Sequence, residues 1–119
     1  MPTMVSITRA KFPKNRAHDV RAKFQNEVIP AFQQLKQQGQ LRSALFVIDQ
    51  DGEEAIGIAV YNSEAQVQAV EGKRGREAPN DVKDETKAPT PLAKHRAKAV
   101  KESGANMQTA EWYEVIGEV

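Results

Sequence analysis

Few side chains in this 119-residue sequence are equipped for chemistry: it holds two histidines, two tyrosines, one tryptophan and no cysteine. Without a thiol there is no disulfide, no thiolate nucleophile and no cysteine metal site. His95, in the run LAKHRAKAV, could act as a base or ligand, although Lys94 and Arg96 on either side favour a solvent-exposed position on a basic helix. His18 lies among polar residues of an earlier helix and reads as solvated. Tyr61 could donate a hydrogen bond to a bound phenol or quinone, or could equally fill an interface; Trp112 could line an apolar pocket, or simply belong to the core. Ser6 and Thr8 are the remaining hydroxyls on the face that Tyr61 shares. Lys94, Arg96, Lys98 and Lys101 form a basic row that could meet an anionic ligand, but Glu102 and the acidic residues of the preceding loop balance it.

Several function classes drop out. There is no phosphate-binding glycine motif, no H-E-x-x-H and no pair of histidines at metal-ligand spacing, so neither a metal nor a cofactor is expected. With 17 Lys plus Arg against 16 Asp plus Glu, the net charge of +1 creates no long-range field for nucleic acid or an anionic membrane. The N-terminal MPTMVSITRAKF lacks the layout of a signal peptide, and no apolar run approaches the ~20 residues needed to cross a bilayer; a soluble protein of the cytoplasm is expected.

The elements that must position these side chains follow from the hydrophobic pattern. Leu41 to Val60 holds two apolar runs joined by Asp49-Gln50-Asp51-Gly52, a β-hairpin signature. Met4 to Phe12 reads as a first strand ahead of Pro13. Asn15 is a candidate cap for a long helix with Ala17, Val20, Phe24, Val28, Ala31 and Leu35 on one stripe, bent at Pro30 and ended by Gly39. Asn62-Ser63-Glu64 caps a short helix that ends at Gly72, and Thr90-Pro91 starts another that ends at Gly104. Met107 to Val115 supplies the last strand, with Trp112 and Tyr113 on opposite faces. Residues 73–91, charged and rich in proline, are expected to be a mobile polar loop within a single domain spanning 1–119.

This order is βαββαβ, which predicts an α+β, ferredoxin-like fold: a four-stranded antiparallel sheet with helices on one face. Ile56, Ile58 and Val60 form the larger apolar face and are expected beneath the helices. Ser6, Thr8, Ala10, Ala55, Gly57, Ala59 and Tyr61 then make an open face, small-sided and uncharged, that a homodimer would cover. An RNA-recognition domain shares this element order, but RSALFVID lacks the glycines and paired aromatics that stack bases.

The run EVIPAFQQLKQQGQLRSALFVI, then a short acidic turn, AIGIAVYNSEAQVQAV and a late aromatic strand, resembles the dimeric α/β-barrel superfamily, and within it the antibiotic-biosynthesis-monooxygenase (ABM) domain. The likeness lies in Pro30 late in the first helix, Gly39 before the second strand and the Asn62-Ser63-Glu64 junction, and it omits residues 73–91. It implies a dimer with a cavity beside the sheet, and a cofactor-independent monooxygenase-like protein acting on a small aromatic or quinone-like molecule. Ser6, Thr8, Tyr61 and Trp112 would bind that ligand, with Tyr61 and His95 the candidates for catalysis. The alternative is a non-catalytic dimeric binding or stress-response protein. The haem-degrading branch relies on an asparagine where Ser6 or Thr8 stands and on a tryptophan that the second helix lacks, so haem chemistry is not expected.

Overall fold

A computed structural model describes residues 2–119. Four strands, β1 (Met4–Lys11), β2 (Ser43–Ile48), β3 (Glu54–Tyr61) and β4 (Asn106–Glu114), form one antiparallel sheet in the order β2-β3-β1-β4. That is the split βαβ arrangement expected from the element order, with the helices packed on one face. The hairpin turn is closed by the Asp49 amide on the Glu54 carbonyl and by an Asx turn in which the Asp51 amide donates to Asp49 Oδ1 at 3.0 Å.

The long first helix is continuous through Pro30, as its in-phase apolar stripe predicts, but not by a simple kink. It runs as α1 (Ala17–Lys23), a π-helical segment (Phe24–Val28) and α2 (Ile29–Gln37). Pro30 has no amide hydrogen for an α-type bond. The widened turn, in which the Ile29 amide reaches the Phe24 carbonyl, places the proline at the start of α2, where no intrahelical donor is needed. Asn15 does not cap it: Lys14–Arg16 forms a 3-10 turn without a side-chain cap. The other caps stand where expected. Ser63 Oγ accepts the Gln66 amide ahead of α3 (Glu64–Glu71), and Thr90 Oγ1 accepts the Ala93 amide ahead of α5 (Pro91–Glu102).

Residues 73–91, expected as a polar loop, carry the short helix α4 (Pro79–Lys83), whose Val82 is buried. The Gly75 amide bonds the Ala110 carbonyl on the outer edge of β4. A Cβ at Gly75 would lie 2.4 Å from the Ala110 nitrogen, so only glycine allows this approach. The segment thereby covers an edge strand that would otherwise be unpaired. A register shift where β4 passes Arg9 and Ala10 lets Met107, Ala110 and Trp112 all face the helices.

The two sheet faces are the reverse of the sequence expectation. Ala10, Ala55, Ala59, Tyr61 and Ser6 are buried beneath the helices, where Phe24, Val28 and Phe32 meet them. Val5, Ile7, Ile56, Ile58 and Val60 lie on the side without helices, beside Leu45 at 60%, Val47 at 42% and Tyr113 at 48% exposure. Where Phe24, Val28 and Phe32 cross the sheet they meet Ala55, Gly57 and Ala59, whose small side chains let the helix come close, while the bulky aliphatic face is left outside.

Candidate functional site

Beneath the helices, a narrow slot runs between the sheet and the π-helical segment. Phe24, Val28 and Phe32 line it from the helix, Thr8, Phe46, Ala55, Gly57 and Ala59 from the sheet, and Glu71 and Arg96 complete its lining. Counting the open space at its mouth it spans about 360 Å³, but the cavity itself is only about 20 Å³. That suits roughly one water. The bare Cα of Gly57 makes space for the ring of Phe46, whose edge would lie 3.1 Å from an added Cβ.

At the polar end, three donors converge on the carboxylate of Glu71, which is 2% exposed. Ser6 Oγ donates to Oε1 at 2.8 Å, Arg96 Nη1 to the same oxygen at 3.0 Å, and Tyr61 OH to Oε2 at 2.6 Å. Short bonds of this kind, one of them from a guanidinium, fix the position and orientation of the carboxylate. Burial, and then the Glu71 charge and its hydrogen bond, push the Tyr61 hydroxyl far above its ordinary value of 10.0, so it remains a donor. Arg96 is only 6% exposed, and its Nε has no partner among the described residues.

The structure therefore brings Ser6 and Tyr61 together, but on Glu71 rather than on an open cavity. Thr8 lines the slot. Trp112 is buried across from Ser6 in the β1–β4 pairing, with the Arg74 guanidinium 5.9 Å from its ring centroid and its own Nε1 unpartnered among the described residues. His95 stands apart: it is exposed, and its Nε2 lies 3.1 Å from the Glu27 carbonyl in the π-helical segment. A carbonyl only accepts, so Nε2 carries the hydrogen, and the ring ties α5 to the widened turn. Among the described residues, no group of three or more His, Cys, Asp or Glu side chains could hold a metal ion, and no helix is long and apolar enough to cross a membrane.

Glu71 has no place among the residues singled out from the sequence, and Arg96 figures there only as part of an exposed basic row. Helical spacing carries the signal for both. Glu71 follows buried Val67 by four residues, and Arg96 lies four from Leu92 and four from Val100, so each falls on its helix's inward face.

No known protein family matches the sequence, and no curated protein matches it either. Among solved structures, a dimeric ferredoxin-like protein from an uncultured marine organism is similar, with a TM-score of 0.54 and 17% identity, each chain covered over 100% of its length. At that identity the likeness establishes a ferredoxin-like fold and nothing finer.

Proposed function

We propose that this ferredoxin-like chain forms a homodimer and holds a small aromatic or quinone-like molecule in the slot beside Glu71 and Arg96. The observation that carries the reading is an ion pair sealed inside the domain at the end of an apolar slot. Such a pair adds little net stability compared with an apolar replacement, and charged groups placed in that setting are characteristic of binding sites. Thr8 and Arg96 would touch the ligand, Ser6 and Tyr61 would position the carboxylate, and Trp112 would close the adjoining wall. The dimer would form through the exposed face of Val5, Ile7, Leu45, Ile56, Ile58 and Val60, a contiguous apolar surface of the kind that marks an interface. The similar marine protein is itself dimeric.

The test is a titration with 2-methyl-1,4-naphthoquinone, read by quenching of the single tryptophan. Saturable quenching at one quinone per chain supports the site, and linear collisional quenching sinks it. The second reading, a cofactor-independent monooxygenase in the manner of the ABM-domain resemblance, has one observation in its favour: a carboxylate stands at the slot with an arginine beside it. Three donors already engage both oxygens of that carboxylate, which is why binding ranks first. Incubation with 1-naphthol in an oxygen electrode separates the two. Monooxygenation consumes one O₂ per naphthol, one atom entering the ring as a quinone oxygen and the other leaving as water. Binding alone consumes none.

A further inference from the structure

One side chain borders the slot and both of its neighbouring hollows. Phe46, half-buried on edge strand β2, lies over Gly57 and meets Phe32 at 5.1 Å and Phe24 at 6.2 Å between ring centroids, edge-on in both cases. Two further hollows, of about 390 and 520 Å³ out to their mouths, flank β2. One lies toward Val20 and Arg21 and the other toward Gln33 and Leu41, and Phe46 is the side chain common to both hollows and the slot. A χ rotation of that ring would therefore change the space in all three voids at once, whereas Phe24, Phe32 and Ile29 each border only two of them.

We propose that Phe46 is the gate of the slot, and that a flat, uncharged ring system bearing an acceptor oxygen enters by displacing it. The ligand ring would take the phenyl ring's place over Gly57, between Phe24 and Phe32, in the edge-to-face geometry those rings already adopt. Its oxygen would accept from Arg96, whose Nε is unpartnered among the described residues. The requirement for zero charge follows from the Glu71–Arg96 pair, which is neutral as a unit and leaves nothing to offset the desolvation of an ionic ligand. The proposal rests on the slot being the binding site.

Stopped-flow mixing with 1,4-naphthoquinone, read by tryptophan quenching, tests it on the intact chain and on Phe46→Ala. Because a fast ring rotation leaves only a fraction of the natural chain open at any moment, Phe46→Ala should associate at least tenfold faster at every quinone concentration. Phe46→Trp, with folding checked by circular dichroism and binding by calorimetry, should bind at least tenfold more weakly because a larger ring refills the gap. Equal association rates in the natural chain and Phe46→Ala, with both binding, would overturn the gate and leave the slot standing. Failure of both folded proteins to bind would overturn the slot and the gate together. 1,4-Naphthoquinone-2-sulfonate binding as tightly as the neutral quinone would overturn the requirement for an uncharged ligand.

Discussion

The two faces of the sheet are both largely apolar and use that character in opposite ways. The inner face is built from Ala10, Ala55, Gly57 and Ala59 and includes a buried ionic cluster; the outer face is built from isoleucine, valine and leucine and carries no charged group at its centre. Arg9 and Glu111, which sit at the outer face's margin, are turned to ion pairs with Glu54 and Arg76. The difference teaches that side-chain size, and not hydrophobicity, selects the face that receives helices. The helices bring their own bulk in Phe24, Phe32 and Val28, and the sheet supplies the recess.

The sharpest way to break this contrast is to remove the charge from the inner face. Glu71→Leu leaves Arg96 buried without a counter-ion and strands the hydroxyls of Ser6 and Tyr61, so chemical denaturation should show a loss of about 3–5 kcal/mol. Combining it with Arg96→Leu should restore most of that stability; a double variant as unstable as the single one would mean that the cluster is needed for packing and not merely for its own neutralisation.

Tyr61→Phe removes one bond to an ionised acceptor and should cost about 1.5–3 kcal/mol. It also carries a signature in pH. The hydroxyl titrates far higher in the folded chain than its ordinary value of 10.0, so the unfolded chain releases that proton first. The stabilising contribution is complete below about pH 10 and falls as pH rises further, by about 1.4 kcal/mol per unit. The natural chain should therefore lose more stability than Tyr61→Phe between pH 9 and pH 11, and parallel losses would contradict the buried hydroxyl.

On the outer face, Ile58→Lys should cost the fold no more than about 1 kcal/mol, because the position is only half-buried in a single copy and a lysine stem can lie along the sheet with its charge in water. Light scattering should show the proposed dimer reduced to monomer; a stable dimer in this variant would place the interface elsewhere. The smallest effect belongs to His95→Ala. Its bond to the Glu27 carbonyl is exposed, so a loss of roughly 0.5–1 kcal/mol and unchanged quinone binding are expected.

Much of the scaffold was legible in the chain because it is written locally. Ser63 and Thr90 announce their helices, Gly39, Gly72 and Gly104 end theirs at positive φ, and Asp49 with Gly52 folds the hairpin. The candidate site was legible only in part. Ser6 and Tyr61, on β1 and β3, fall on one sheet face by simple alternation, but their partner Glu71 comes from a helix read only for its aliphatic residues, so its inward spacing from Val67 went unused. The π-helical turn was hidden for a related reason: Pro30 predicts a disturbance without saying whether the helix kinks, breaks or widens.

By itself the sequence determined the order of the strands and main helices, the caps at Ser63 and Thr90 though not the one expected at Asn15, the turns, and which residues share a strand face, since these depend on neighbours a few positions away. Only the tertiary structure decided which face of the sheet lies under the helices. A period of two sorts side chains into two sets, and when both sets are apolar nothing local distinguishes inside from outside; the choice falls to how closely helices from distant parts of the chain can approach. The same long-range fit brought Glu71 and Arg96, 25 residues apart on separate helices, into one buried pair.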